Sequence, residues 1–301
     1  MQRSRDGIER WKCWSGGHSG TAVDAVIAAH GGSVADAVRH LEQRVGGVAI
    51  HPPMATPPAI RQQQTPTELS TAATSYALRC ARLLWTPDGA RARDWLRSRG
   101  LTDSVLIANK VGYDPGPEIL HRPKGLPGAS ADWPAPGQSA RGVTYPSFDD
   151  TGKIIYVQTR FAAPDAPFKY GNPSSRHGTL PSLVFPRGGA GTGPIVVTEG
   201  VADGLVAASA GYRTATVLAS SLVTQTGADR LVAAAGEHGL ILAFDNDNAG
   251  RTAAAALTGL IRDRVAVHQL ELPDGSDLTD TYRSAHQWPT QTNRPLQTSA
   301  R

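Results

Sequence analysis

Apolar positions in the last third of the chain fall into four short runs: Pro194–Thr198, Thr214–Ala219, Leu240–Phe244 and Val265–Leu270. Most are rich in β-branched residues, and the stretches between them (201–210, 227–237 and 249–262) carry helical spacing. Strands alternating with helices over such distances predict a parallel sheet flanked by helices on both faces, an α/β architecture. Upstream the pattern changes. Gly142–Phe148 and Lys153–Arg160 alternate as half-buried strands do, and Asp149-Asp150-Thr151-Gly152 between them predicts a hairpin turn. A basic amphipathic helix is expected over Ser75–Leu84 and another over Asp88–Arg99, closed by Gly100. Residues 115–140, rich in Pro and Gly, read as loop. Near the start, Thr21–Gly46 reads as two helices, the second capped by Ser33. Five prolines and a Gln run over 47–68 then mark a linker.

Composition narrows the class. With 301 residues, 40% of them hydrophobic and 19% charged, the chain can bury a substantial core, which excludes global disorder. No run approaches the roughly 18 apolar residues of a membrane span. The charged opening segment lacks a signal core, and two cysteines, Cys13 and Cys80, cannot build a disulfide framework. A cytoplasmic location is therefore expected, with no membrane partner. The net charge of +4 is unevenly placed. Seven Lys/Arg face three acids over Arg79–Lys110, and five face only Asp165 over Lys153–Arg187. From Ile195 to Arg283 the balance reverses, with six arginines against eleven acids. Basic segments followed by an acidic one suit a protein that holds phosphate beside metal-binding carboxylates.

The acids are placed where chemistry gathers in open parallel sheets, at the carboxyl ends of strands. One run leads into Glu199-Gly200 and another into Asp245-Asn246-Asp247. A side-chain period of two would turn Asp245 and Asp247 to one side and Asn246 away. Asp203 lies one helical turn beyond Glu199, and Asp277 follows the fourth run. Carboxylates converging on one edge repel one another unless cations sit among them, and Mg²⁺ (or Mn²⁺) is the natural occupant. Arg251 sits in the first turn of a helix, where the dipole disfavours a cation, which points to contact with a phosphate or carboxylate. Other features carry less. Gly188–Gly193 precedes a strand and lacks Lys-Ser/Thr, so it is a hinge and no Walker loop. Cys80 reads as a small core residue, and Trp85 and Trp95 as helix-packing residues rather than base-stacking platforms.

These blocks together are recognisable. Glu199-Gly200-Val201-Ala202-Asp203, Phe244 to Arg251, and Leu272-Pro273-Asp274-Gly275-Ser276-Asp277 resemble the Toprim domain of bacterial-type (DnaG-like) DNA primases. Gly152 to Arg160 followed by Lys169-Tyr170-Gly171-Asn172-Pro173 is similar to the basic subdomain that precedes it, and Trp95 to Leu101 to the start of that subdomain. Trp11-Lys12-Cys13-Trp14 through to Leu41 resembles the second half of the family's zinc-binding domain. The resemblance implies a zinc-domain remnant over 1–46, a linker over 47–68 and a mixed α+β basic subdomain over 69–188. A Toprim catalytic domain over 189–285 and a flexible tail over 286–301 would follow.

The resemblance also implies DNA-templated synthesis of short RNA primers from ribonucleoside triphosphates. Glu199, Asp245 and Asp247 would be catalytic and hold metal with Asp203 and Asp277. Lys153, Arg160, Lys169, Tyr170, Asn172 and Arg251 would contact template and nucleotide. The implied partners are single-stranded DNA and a replicative helicase. Two departures stand out. The family's zinc site has two ligand pairs, whereas Cys13 and His18 offer at most two ligands, so zinc is expected to be absent. In the third acidic block the family often has Asp-x-Asp; here Asp277-Leu278-Thr279 stands, with Asp280 displaced by one. Because the sequence ends soon after the Toprim blocks, a helicase-docking domain is expected to be missing. A Toprim-type nuclease and a non-catalytic single-strand- or nucleotide-binding protein remain the alternative readings.

Overall fold

Residues 2–3, 9–12, 19–30, 34–44, 68–116, 119–128, 140–163, 166, 169–218, 223–285 and 292–295 are described in the computed structural model. They divide between two units, 1–64 and 65–301. In the first, β1 (Gln2–Arg3), β2 (Glu9–Lys12) and β3 (Ser19–Gly20) form an antiparallel sheet in that order. The two expected helices follow as α1 (Ala22–His30) and α2 (Val34–Arg44). The Asp24 carboxylate accepts from both the backbone N–H and the hydroxyl of Thr21, closing the first turn of α1. Ser33 and the stretch 45–67 lie outside the described residues.

The second unit opens with α3 (Thr71–Leu84), four residues longer at its start than the apolar pattern predicts, because Ser70 caps it by accepting from the Ala73 N–H at 3.2 Å. Next come α4 (Ala90–Ser98) and α5 (Asp103–Ala108), the latter too short to show periodicity in sequence. β4 (Gly112–Asp114), β5 (Gly142–Phe148), β6 (Ile154–Phe161) and β7 (Tyr170–Gly171) build an antiparallel sheet in that order. The predicted hairpin is present as β5–β6, its turn fixed by Asp149 Oδ1, which accepts from the Thr151 and Lys153 N–H groups at 3.0 Å each. Alternation in β5 predicts one wet face, yet all seven of its residues are buried. α3 covers one side, while Val143 and Tyr145 on the other join the core beneath α4 and α5. A buried polar lock ties this sheet to the following loop. Asp114 pairs with Arg122 and accepts from the Tyr76 hydroxyl at 2.7 Å.

The remaining elements are β8 (Leu183–Val184), β9 (Ile195–Glu199), α6 (Val201–Ser209), β10 (Thr214–Val217), α7 (Gln225–Ala235), β11 (Leu240–Ala243), α8 (Asn248–Ile261), β12 (Val267–Leu270), α9 (Leu278–Ala285) and β13 (Thr292–Pro295). The sheet order is β13-β12-β11-β9-β10-β8, with the four inner strands parallel and both edge strands antiparallel. The period of two sorts the side chains. Ile195 and Val197 pack with α7 and α8, while Val196 packs with Ala207 of α6 and Leu278 of α9. Helices therefore flank both faces of an α/β sheet, as the apolar runs predict. Two details differ from expectation. β8 draws residues 183–184, upstream of the expected boundary at 189, into this sheet, and 292–295, expected as free tail, pair with β12. Leu96, Leu106 and Tyr145 share one core with Leu205, Val206 and Val184, so the basic and acidic halves of this unit are packed together. No helix among the described residues is long and apolar enough to cross a membrane.

Candidate catalytic site at the sheet edge

β9 and β11 are adjacent and parallel, with Ala243 level with Thr198. Phe244-Asp245 therefore leaves the sheet beside Glu199, at the carboxyl edge where the sequence places the acids. β11 ends at Ala243, so the strand alternation expected to turn Asp245 and Asp247 to one side does not reach them. A different device operates. Asp247 becomes the N-cap of α8, its Oδ1 accepting from the Gly250 N–H at 2.8 Å. Asn246 turns to the next loop, donating to the Leu272 carbonyl at 2.6 Å and to Asp274 Oδ1 at 3.1 Å. The Asn246 N–H donates to the Ser276 carbonyl at 3.1 Å, which draws the loop carrying Asp277 against the one carrying Asp245.

The acids feel one another. Burial, then the charges of Asp203, Glu199, Asp277 and Asp247, push the Asp245 carboxyl up to about 7. Burial and then Asp277 raise Asp203 to about 6, against hydrogen bonds from Thr279 that pull it down. Glu199 is raised by burial and by Asp247. Two carboxylate oxygens, Glu199 Oε2 and Asp245 Oδ1, are buried without any hydrogen-bond donor. A buried acceptor left unmatched is costly, and a cation is the partner that relieves it. Among the described residues no three of His, Cys, Asp or Glu close into a full metal cage. The donor set suits a hard cation that takes one or two carboxylates and keeps its waters, which is the habit of Mg²⁺.

Beside Asp203 stands a basic and aromatic cluster. The Arg99 guanidinium lies 5.3 Å from the centre of the Trp95 ring, and that of Arg160 lies 5.1 Å from the same ring. Arg160 is also 5.8 Å from the Tyr170 ring, as is the Lys169 ammonium. Contacts of this kind each contribute roughly 0.5–2 kcal/mol and fix long side chains that would otherwise wander. Arg99 pulls the Asp203 carboxyl downward, so the cluster and the acids form one electrostatic neighbourhood.

Among the residues singled out from sequence, Glu199, Asp203, Asp245, Asp247 and Asp277 come together, and Arg160, Lys169 and Tyr170 form a second group. Asn172, exposed, accepts from Gln158 at 3.1 Å beside that group. Lys153 does not join it. It pairs with Glu68 at 2.7 Å and lies at the other end of β6 from Arg160, roughly 20 Å away at ~3.3 Å per residue. Arg251 donates to Asn246 Oδ1 at 2.9 Å and to its carbonyl at 3.3 Å, so it braces the acidic loop. Sequence reasoning missed Arg99 as a site residue, although its i,i+4 spacing from Trp95 was visible. It also missed Thr279. Trp85, read as a packing residue, is 39% exposed with Arg93 over its ring. Cys13 and His18 lie outside the described residues.

A family model described as Toprim-like matches residues 196–282. A curated relative, the DNA primase of Deinococcus radiodurans, is 29% identical over an alignment of 210 residues that covers 63% of this chain and 37% of the relative. The chain thus spans well under half the length of that relative. The structure of the Aquifex aeolicus primase, comprising its zinc-binding and RNA polymerase domains, is similar with a TM-score of 0.51. That match is 23% identical and covers 91% of this chain and 70% of the other. A DnaG primase catalytic domain bound to single-stranded DNA is similar with a TM-score of 0.52. There the identity is 22%, and the match covers 70% of this chain and 75% of the other. The sheet is Toprim-like, and the fold of the second unit is that of bacterial primase cores.

Proposed function

We propose that this chain is the polymerase core of a DNA primase, joining ribonucleotides on a single-stranded DNA template with the help of Mg²⁺ or Mn²⁺. The observation that carries this reading is the pair of donor-less carboxylate oxygens, Glu199 Oε2 and Asp245 Oδ1, in an acidic group packed against a basic, aromatic cluster. Likeness to primases in sequence and in fold supports it. Glu199 and Asp245 would hold the cation directly, with Asp247, Asp203 and Asp277 completing the negative field. When bound, such a cation neutralises nucleotide phosphate and makes the attacking 3′ hydroxyl more acidic. Arg160, Lys169 and Tyr170 would grip template backbone and nucleotide, and Arg99 would add positive charge beside Asp203. A replicative helicase is the partner such a core would serve. The single-stranded template itself follows from the same reading, since a similar primase domain has been solved with single-stranded DNA.

The test is incubation with single-stranded DNA, labelled ribonucleotides and Mg²⁺ or Mn²⁺. Template-dependent products of several nucleotides support the proposal. Degradation of the DNA would replace it with a nuclease, and binding without either outcome would make the chain a non-catalytic binding protein.

A further inference from the structure

We infer that Thr279 is a positioning residue for the metal site, acting through Asp203; this rests on the reading of the acidic group as a cation site. Thr279 is fully buried, and it spends both of its donors on one atom. Its backbone N–H donates to Asp203 Oδ1 at 2.9 Å, and its hydroxyl donates to the same oxygen. Two donors on a single carboxylate oxygen fix the plane of the group as well as its position. The other oxygen is thereby turned the opposite way. Asp203 Oδ2 lies 3.8 Å from the point where a Cβ on Gly200 would stand, so it faces the Glu199-Gly200 turn. Gly200 has φ +84°, which favours glycine, and its lack of a Cβ leaves this space open. Asp203 is thus held facing the Gly200 turn by a residue 76 positions away on another helix.

The neighbouring acids do not substitute for this contact. Asp277 Oδ1 accepts from the Asp280 N–H at 2.6 Å and closes the start of α9. Asp280 is exposed, and its side chain lies 3.8 Å from Arg283, pointing out of the group. The third acidic segment therefore supplies one carboxylate, Asp277, and one pair of donors, Thr279, in place of two carboxylates.

The experiment is direct binding of Mn²⁺ alone, followed by the loss of the free-ion paramagnetic resonance signal, with no DNA or nucleotide present. Thr279→Val keeps the shape and removes the hydroxyl; Thr279→Ser keeps the hydroxyl; Asp203→Asn removes the charge. Wild type should bind Mn²⁺ saturably, Thr279→Val roughly tenfold more weakly, the effect of one charge-assisted hydrogen bond, and Thr279→Ser within about twofold of wild type. In the Asp203→Asn background, Thr279→Val should add nothing, because the effect passes through Asp203. Melting curves of each variant accompany the titrations. Wild-type affinity in a folded Thr279→Val variant would overturn the inference while leaving the metal site standing. Equal further weakening in the Asp203→Asn background would also overturn it. No saturable Mn²⁺ binding by wild type would sink the metal site and this inference together, and primer synthesis would then need another explanation.

Discussion

Asp245→Asn should stabilise the cation-free protein, and only at neutral and alkaline pH. Burial and four neighbouring carboxylates hold the Asp245 carboxyl up to about 7 in the folded chain, whereas an unfolded chain ionises it near ~4. Below about pH 4 it is neutral in both states and contributes nothing. Between pH ~4 and ~7 the unfolded chain gives up its proton first, and a penalty on folding grows; above pH 7 it is complete. Three pKa units correspond to about 4 kcal/mol at ~1.36 kcal/mol each. Asp245 is only half-buried, and solvent screening brings this to about 1–2 kcal/mol. Asparagine keeps the shape and removes the charge. In EDTA at pH 8 the variant should therefore gain about 1–2 kcal/mol, a rise in Tm of a few degrees at ~2–4 °C per kcal/mol. At pH 4.5 the two proteins should be nearly equal. Saturating Mg²⁺ should then stabilise wild type and leave the variant largely unmoved. Denaturant titrations at both pH values, with and without Mg²⁺, measure all three. A variant that loses stability by the same amount at both pH values would refute the reasoning and leave Asp245 a structural residue.

Two further outcomes follow from particular contacts. Gly100 has φ +89°, and a Cβ there would lie 2.5 Å from the Tyr282 ring of α9. Gly100→Ala should therefore cost about 2–4 kcal/mol of unfolding free energy, from strained backbone and overpacking together, and a loss under 1 kcal/mol would mean that α9 can shift freely. Arg160→Ala and Lys169→Ala should each weaken single-strand binding and flatten its salt dependence by about 0.7 in log–log slope. Lys153→Ala, paired with Glu68 at the far end of β6, should leave the slope unchanged.

The sequence already shows why the sheet forms and where its acids stand. Glu199 and Asp245 were legible because apolar runs long enough to identify as strands end just before them, and parallel strands bring their carboxyl ends to one edge. β8 was not legible, because the three apolar residues Leu183-Val184-Phe185 between Pro181 and Pro186 make no period, and only pairing with β10 defines Leu183–Val184 as a strand. The same limit hid α5 and β4. Asp247 was found for an incomplete reason: its place came from capping α8 rather than from strand alternation. Thr279 was read as a missing acid, since a sequence shows which charge is absent but not which donor takes its place 76 residues from its partner. Arg99 and Arg160 meet at Trp95 from opposite ends of the basic half, a contact that exists only after folding.

Asp245 serves chemistry rather than architecture on the proposed reading. The measurement that addresses this most directly is the rate of template-dependent ribonucleotide incorporation by Asp245→Asn beside wild type, in Mg²⁺ and at equal occupancy by single-stranded DNA. Metal stabilisation of developing charge contributes several kcal/mol, so synthesis should fall by a factor on the order of a hundred or more. Single-strand affinity, carried by Arg160 and Lys169, should stay as it was. Full synthesis by a folded Asp245→Asn protein would contradict a catalytic role for this carboxylate.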